Sequence, residues 1–234
     1  MAIKIKIGCD PELFVKEGDK YISAHGLFPG TKSNPYKVDK GAVQVDGMAL
    51  EFNIDPAETV EEFDKNIKTV LNQVRAMARK VDKGLKLDIV PVANFDNEYF
   101  FYQPVESKIL GCDPDYNIRG DQNVSPNYLV ETPVRTAAGH VHIGWTENES
   151  VDNPIHFEDC RYVAETFHHR SSLFAPKHRN EYERLRYYGN HGAFRPKSYG
   201  VELRSPSNLW IKSAASRKEV FNEVQIKMAN LKRA

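Results

Sequence analysis

The sequence has few cysteines and no prevailing charge. Three of its 234 residues are cysteine, and none stands in a Cys-x-x-Cys spacing. A disulfide framework and a thiolate zinc site are therefore not expected, and three reduced thiols are typical of a cytosolic protein. The 32 Lys and Arg residues balance 32 Asp and Glu residues, so the formal net charge is zero. Proteins that bind nucleic acid usually carry a basic excess, which disfavours a nucleic-acid partner.

Long apolar runs are absent as well. No stretch approaches the roughly 18 residues that a membrane-spanning helix needs, and the first residues alternate in polarity instead of forming a signal-peptide block. We therefore expect no membrane partner and a cytoplasmic location. Hydrophobic residues make up 41% and charged residues 27% of the chain, which is ordinary for a globular protein. With no linker and no repeat period, the sequence predicts a single domain over residues 1–234.

The hydrophobic pattern predicts several strands. Ile3, Ile5 and Ile7 alternate with lysines, so a strand begins there and continues to residue 15. Pro11 lacks a backbone donor, which predicts an edge, a bulge or a strand end at this position. Further strands are predicted at 42–46, 49–54, 87–93, 99–102, 140–143 and 199–204.

Helical periodicity predicts helices at 59–82, 157–174 and 180–188, and a last helix from about 213. Thr59 with Glu62 forms a predicted capping box at the first helix, and Ser216 with Glu219 forms another near the last. Segments 18–42, 104–127 and 189–197 are predicted as loops. Because strands and helices do not alternate regularly, the pattern indicates an α+β fold with a largely antiparallel sheet.

Three predicted strands carry chemically active residues two positions apart. The pairs are Asp10 with Glu12, His140 with His142, and Glu202 with Arg204. Side chains at i and i+2 project from the same strand face, so each pair points to one side of a sheet. Two more carboxylates, Asp46 and Glu51, lie on either side of a glycine in neighbouring predicted strands.

Carboxylates gathered on one face would form a dense negative cluster. Closely packed like charges raise each other's pKa and destabilise a fold unless something neutralises them, and a divalent cation does so. Oxygen ligands with some imidazole suit Mg²⁺ or Mn²⁺ better than zinc. Taken singly, the pairs also fit surface carboxylates, packed histidines or a cross-strand ion-pair network.

A basic segment precedes Glu202. Residues 189–197 contain two glycines, Arg195 and Lys197. Arginine binds phosphate oxygens bidentately and lysine acts as a point charge. Beside carboxylate-bound Mg²⁺, such a segment is expected to clamp nucleotide phosphates. The sequence contains neither a Walker-type motif nor Gly-x-Gly-x-x-Gly.

Four segments together resemble a known family. They are IGCDPELFV, VDGMALEFN, AGHVHIGW and GAFRPKSYGVELRSPSNLW. Their order and strand context resemble the glutamine synthetase and glutamate–cysteine ligase superfamily, and within it the phage-encoded branch called COOH.NH2 ligase type 2. The resemblance extends from residue 7 to about residue 210. It implies a curved antiparallel sheet with helices on one side, like the glutamine synthetase catalytic domain, and the host cytoplasm as location if the protein is phage-encoded.

The resemblance also implies roles for individual residues. The implied metal ligands are Asp10, Glu12, Asp46, Glu51, His140 and Glu202. The residues implied to contact the phosphates or the transferred phosphoryl group are His142, Arg195, Lys197 and Arg204. Gln44 lies near the place of a further family carboxylate, so either Gln44 or Asp46 takes the third carboxylate position.

The implied activity is ATP-dependent ligation of a carboxylate to an amine through an acyl phosphate, with Mg²⁺ or Mn²⁺ bound. The substrates would be small-molecule or peptide carboxylates and amines, and the oligomeric state stays open. Segments 18–42 and 104–127 are candidate covers that keep water from the intermediate. A metal-dependent hydrolase using the two histidines and a non-catalytic nucleotide- or peptide-binding descendant are the alternatives.

Overall fold

A computed structural model describes residues 4–109, 115–123, 131–170 and 175–231, the side chains of 169 and 170 excepted. The strands are β1 Lys6–Glu17, β2 Lys20–Ile22, β3 Tyr36–Val38, β4 Gly41–Asp46, β5 Ala49–Ile54, β6 Leu85–Asp88, β7 Val92–Asn94, β8 Val134–Thr136, β9 Gly139–Gly144, β10 Phe194–Lys197 and β11 Gly200–Leu203. The helices are α1 Val60–Val81, α2 Asn97–Phe101, α3 Val105–Lys108, α4 Pro154–Arg170, α5 Arg179–Arg184, α6 Ala214–Leu231 and a 3-10 helix, Asn208–Lys212.

The main sheet is built around β1. Its strand order is β10–β11–β9–β1–β5–β4–β3, and β2 and β6 also pair with β1. The pairings are antiparallel, as predicted for an α+β protein. Strands β7 and β8 form a separate two-stranded sheet. In the described ranges, no helix combines the length and apolar character that crossing a bilayer requires.

The alternation of β1 divides the sheet into two faces. Its odd-numbered residues from 7 to 15 are buried, and Ile7, Leu13 and Val15 belong to the main core. Phe63 and Ile67 of α1 and Val220 of α6 belong to the same core cluster. Helices α1 and α6 therefore cover the odd-numbered face. The even-numbered residues of β1 point to the opposite face, where the polar side chains of the predicted site lie.

Pro11 lies in the interior of this central strand, so the prediction of an edge, bulge or strand end is wrong. The proline is opposite Gly139, the first residue of β9. At the next position β1 takes β5 as partner, with Glu12 opposite Glu51. Pro11, which has no backbone N–H, thus lies where the pairing of β1 with β9 ends and its pairing with β5 begins. This explains why a proline is accommodated there.

Gly139 lets the 3-10 helix pack closely against the start of β9. A Cβ atom at this glycine would lie 2.7 Å from Trp210 Nε1 and 2.8 Å from the carbonyl oxygen of Ser207. Trp210 Nε1–H instead donates to the Gly139 carbonyl oxygen at 2.8 Å. The contact fixes the strand end directly before His140.

Several local predictions differ from the structure. Residues 99–102 are predicted as a strand, but Asn97–Phe101 form α2, because the Asp96 side chain accepts the Tyr99 N–H at 3.0 Å and caps a helix. The predicted strand 87–93 is interrupted, with β6 ending at Asp88 and β7 beginning at Val92. These predictions are wrong in part, because the three predicted loops contain β2, β3, the first two residues of β4, α3 and β10.

Other local predictions are confirmed. Helix α1 begins after Thr59, whose side chain accepts the Glu62 N–H at 3.2 Å. Helix α6 begins at Ala214, as predicted, but the predicted capping box at Ser216 and Glu219 is wrong, because Ser213 precedes the helix and its Oγ accepts the Ser216 N–H. Residues 171–174 of the predicted 157–174 helix lie outside the described residues. Cys9 and Cys160 are free and buried, and Cys112 lies outside the described residues.

Candidate functional site

Two groups of ligand atoms lie on the face of the sheet opposite α1 and α6. Cluster A contains Asp10, His142 and Glu202, and cluster B contains Glu12, Asp46 and Glu51. Within each cluster, one ligand atom from each residue lies within 4.8 Å of the others. Because Asp10 and Glu12 are successive even-numbered residues of β1, the two clusters adjoin.

Strand register brings cluster A together. Asp10 on β1 is opposite His140 on β9, and His142 is opposite Glu202 on β11. His142 Nε2 lies 3.1 Å from Asp10 Oδ1. His140 Nδ1 lies 3.3 Å from both Asp10 Oδ1 and Glu202 Oε1. Both predicted histidines therefore contact the same carboxylate.

In each histidine, the ring nitrogen that does not face the carboxylates contacts a tyrosine hydroxyl. Tyr188, four residues beyond the end of α5, places its hydroxyl oxygen 3.2 Å from His140 Nε2. Tyr199, in the turn between β10 and β11, places its hydroxyl against His142 Nδ1. Each imidazole thus has one nitrogen toward the carboxylates and the other on a hydroxyl. This role of the two tyrosines could not be predicted, because nothing in the local sequence indicates that they contact the histidines of β9.

Glu202 is completely buried among three cationic side chains. Lys197 Nζ lies 3.1 Å and Arg195 Nη1 3.4 Å from Glu202 Oε2, and Arg204 Nη1 donates to Oε1. Burial and Asp10 act to raise the pKa of Glu202, but Arg204 and the two histidines hold it at about 2. The basic residues that were predicted to bind phosphate therefore surround a buried carboxylate.

Asp115 fixes the orientation of the Arg204 side chain. Its Oδ2 accepts from Arg204 Nε at 2.9 Å, while its Oδ1 accepts from Asn123 Nδ2 at 2.8 Å. Asp115 is itself buried. The predicted cover segment 104–127 thus contributes a residue that orients the arginine. The tetrapeptide Gly-Cys-Asp-Pro occurs at 8–11 and again in this segment at 111–114, and the second copy lies outside the described residues.

Cluster B places three carboxyl groups beside one lysine. Glu12 and Glu51 are direct cross-strand neighbours, and Asp46 lies on adjacent β4. Lys32, from the predicted cover segment 18–42, places Nζ 2.8 Å from Asp46 Oδ2. Gln44 is hydrogen-bonded to Glu51. Of the two candidates for the third carboxylate position, Asp46 therefore belongs to the cluster.

The two clusters have opposite electrostatic character. Burial, followed by the charge of Asp46, raises the pKa of Glu12 to about 7. Burial, followed by Asp10 and Asp46, raises the pKa of Glu51 well above its ordinary value. Burial would also raise the pKa of Asp10, but His142 and His140 outweigh it and hold that pKa well below the ordinary value. Cluster A is thus balanced by its own cations, and cluster B is not.

Both histidines respond to the same surroundings in different ways. Burial and the nearby Arg204 lower the pKa of His140. Burial also acts to lower the pKa of His142, but the Asp10 carboxylate outweighs it and raises this pKa. His140 is therefore the less basic of the two imidazoles.

Two buried atoms of cluster A test whether a cation fits. Neither Asp10 Oδ1 nor His142 Nε2 makes a well-aligned hydrogen bond, although they lie 3.1 Å apart and both are inaccessible to solvent. Buried polar atoms normally have a partner. A carboxylate oxygen and an imidazole nitrogen are ligands that Mn²⁺ and Mg²⁺ accept. Asp10 Oδ1 and His142 Nε2 therefore fit a divalent cation.

A cavity of about 840 Å³ lies on this face of the sheet. Asp10, Glu51 and His142 line it together with Lys6 and Trp145. Along β1 the charge changes from basic at Lys6 to acidic at Asp10, over about 13 Å at 3.3 Å per residue. The cavity falls within the range of about 300–1,000 Å³ that is common for small-molecule sites.

Other histidines have different surroundings. His156 Nε2 donates to the Lys197 carbonyl oxygen at 2.8 Å. The rings of His168 and His191 contact each other with centroids 5.5 Å apart. Clusters A and B together contain five carboxyl groups and the imidazole of His142, and the imidazole of His140 lies beside Asp10.

The chain was also compared with known proteins. Neither family models nor curated proteins match this sequence. The resemblance to carboxylate–amine ligases therefore stays a prediction from the motifs.

Proposed function

We propose that this protein is an ATP-dependent carboxylate–amine ligase that requires Mg²⁺ or Mn²⁺. The observation that carries the proposal is the adjoining position of clusters A and B, with three basic side chains beside cluster A. Phosphoryl transfer from ATP uses carboxylate-held divalent cations next to arginine or lysine, which matches this combination.

The donor set supports Mg²⁺ or Mn²⁺ over zinc. The residues that would hold cations are Asp10, Glu12, Asp46, Glu51, His140, His142 and Glu202. Hard oxygen donors dominate this set, and hard cations prefer them, whereas structural and catalytic zinc sites use mainly cysteine and histidine. His142 is included because its Nε2 faces Asp10, in addition to the phosphate contact that the family resemblance implies.

The proposed reaction has two steps. A substrate carboxylate oxygen attacks the γ-phosphorus of ATP, so that ADP leaves and an acyl phosphate forms. An amine then attacks the acyl carbon, loses a proton, and expels inorganic phosphate as the amide bond forms. Bound divalent cations would neutralise the charge that develops on the transferred phosphoryl group.

Arg195, Lys197 and Arg204 would stabilise the same charge from the protein side. All three contact Glu202 in the described structure. A cation that binds Glu202 would share its negative charge, leaving these side chains available for phosphate oxygens. Arg204 is held in place by Asp115, so its guanidinium is oriented before substrate arrives.

The cavity supports a nucleotide as the larger ligand. The distance from Lys6 to Asp10 along β1 is sufficient for a nucleotide to extend from a basic and aromatic end to the acidic clusters. The segment that carries Lys32 contacts cluster B at Asp46 and would limit water access to the acyl phosphate if it closed over the site. Use of ATP is also in line with the cytoplasmic location predicted from the sequence.

The deciding experiment is a coupled assay of ADP release. Amino acids and cell-wall-type peptides are screened as acceptors with ATP and Mg²⁺, and mass spectrometry identifies any condensed product. We expect ADP release that depends on an added amine, together with a product lighter by one water than its two substrates combined. ADP release without a condensed product contradicts the proposal.

The same preparation distinguishes the two alternatives. Tight stoichiometric zinc with hydrolysis of an amide would favour the metal-dependent hydrolase, which the two histidines beside Asp10 also fit. ATP binding without turnover for any acceptor would favour a non-catalytic binding protein.

A further inference from the structure

His140 has different partners on its two ring nitrogens. Nδ1 faces the carboxylates of Asp10 and Glu202, each at 3.3 Å. Nε2 lies 3.2 Å from the hydroxyl oxygen of Tyr188. A carboxylate only accepts hydrogen bonds, whereas a hydroxyl both donates and accepts. In the cation-free protein these partners favour the tautomer that carries its proton on Nδ1 and accepts from Tyr188 on Nε2.

A bound cation would require the opposite tautomer. If His140 ligates through the nitrogen that faces cluster A, Nδ1 must present a lone pair and the proton must be on Nε2. That N–H then needs an acceptor, and the Tyr188 oxygen is the atom in reach. The imidazole stays neutral throughout, since one proton leaves Nδ1 to solvent and one is gained on Nε2.

We propose that Tyr188 is a positioning residue whose hydroxyl holds His140 in either tautomer, so that the same imidazole serves as donor without a cation and as ligand with one. The inference rests on the proposed function, because it assigns His140 to the cation site. Residues that hold the second nitrogen of a ligating histidine strengthen cation binding.

The surroundings of Tyr188 fix its hydroxyl in place. The guanidinium carbons of Arg184 and Arg204 lie 5.3 Å and 5.4 Å from the centre of its ring. Arg184 is buried and donates from Nη1 to the Ser205 carbonyl oxygen at 2.8 Å. Gly189 follows Tyr188 with a φ of +79°, and a Cβ atom there would lie 2.3 Å from Arg184 Nη1. The tyrosine therefore has a defined position between two arginines.

The test uses the full chain labelled with ¹⁵N at its histidines. Two-bond ¹H–¹⁵N correlation spectra report which ring nitrogen carries the proton, and a His140→Gln spectrum assigns the signals of His140. Wild type without cations is expected to show the Nδ1–H tautomer. Added Mg²⁺ is expected to convert it to Nε2–H, and this measurement needs no variant at Tyr188.

Tyr188→Phe removes the hydroxyl and keeps the ring between the arginines. We expect His140 to keep the Nδ1–H tautomer even when Mg²⁺ is added, because Nε2–H would have no acceptor. Mn²⁺ affinity, followed by the electron paramagnetic resonance of free Mn²⁺, should fall about 10- to 100-fold. Tyr187→Phe is the matched control and should leave both unchanged. If Tyr188 had a merely structural role, Tyr188→Phe would lower the thermal stability but leave the Mg²⁺-induced change of the His140 tautomer as in wild type.

Three outcomes overturn the proposal: no change of tautomer when Mg²⁺ is added to wild type, a full conversion to Nε2–H by Mg²⁺ in Tyr188→Phe, or unchanged Mn²⁺ affinity in that variant. None of these measurements uses ATP or a substrate. A failed ligase screen would reject the proposed reaction but not cation binding by His140, which is the part of the proposed function that this inference needs, so the two failures are distinguishable.

Discussion

Glu12 and Glu51 are direct cross-strand neighbours at the centre of the main sheet, with Glu51 buried and Glu12 half-buried. Like charges directly opposite each other destabilise a sheet. The pair is therefore a stability cost that folding accepts to place two ligands side by side. Lys32 and, in the proposed function, a divalent cation reduce this cost.

Stability of the cation-free protein is expected to fall as pH rises. The pKa of Glu12 is raised from 4.5 to about 7 in the folded protein, so folding favours its protonated form. This contribution is fully present below pH 4.5 and is lost as pH rises through 7. The loss amounts to at most about 3 kcal/mol at about 1.4 kcal/mol per pKa unit. Urea unfolding in EDTA between pH 5 and 8 measures it.

Glu12→Gln serves as the matched variant for this experiment. A neutral amide cannot ionise, so the decline between pH 5 and 8 should be smaller than in wild type. Saturating Mg²⁺ should likewise flatten the wild-type curve, because a bound cation stabilises the ionised carboxylates. An equally steep decline in Glu12→Gln would show that the buried pair does not cause it.

Lys32→Met should strengthen binding of a divalent cation at cluster B. The Lys32 ammonium lies 2.8 Å from Asp46 Oδ2 and competes for the charge that a cation would use. Removing it should raise the Mn²⁺ affinity of cluster B about tenfold or more, as measured by Mn²⁺ titration. Lys37→Met, an exposed lysine on β3, is the control. Weaker binding in Lys32→Met would mean that the lysine supports the cation site.

Asp115→Asn should reduce catalysis without affecting cation binding. The carboxylate orients Arg204 through a hydrogen bond of 2.9 Å to Nε, and Asp115 belongs to neither cluster. ATP turnover is expected to fall about 10- to 100-fold, a loss of about 1.4–2.7 kcal/mol in transition-state stabilisation. Mn²⁺ affinity should stay the same. Asp121→Asn, in the same segment, is the control and should keep wild-type turnover.

Glu202→Gln should abolish ATP turnover and also destabilise the protein. Removing this charge leaves Arg195, Lys197 and Arg204 without their shared carboxylate. Breaking a buried ion pair costs about 3–5 kcal/mol, so chemical denaturation should show a loss of that size. Circular dichroism should confirm that the fold is retained. Glu219→Gln on α6 is the exposed control, and wild-type turnover in Glu202→Gln would reject the assignment of cluster A.

The residues of the two clusters were predictable because strands impose a period of two. Asp10 and Glu12, or His140 and His142, share a face whatever their neighbours are, so the spacing alone indicates a common direction. Which strands adjoin is a long-range property, yet the mixed element order limited the choice to an antiparallel sheet.

Residues that act from outside the strands were not predictable in their roles. Asp115 contacts a residue 89 positions away and Tyr188 one 48 positions away, and no local pattern encodes such contacts. The helix at 97–101 was missed for a different reason. Its aromatic run is typical of a strand, and a single capping hydrogen bond from Asp96 decides the outcome.

The central place of β1 has a consequence for motion. This strand has β9 and β5 as partners, and its odd-numbered residues from 7 to 15 are buried. Its amide protons should exchange with solvent only when the whole protein unfolds, because no edge of the sheet can open there separately. The floor of the site, which carries Asp10 and Glu12, should therefore keep its geometry whether or not a ligand is bound.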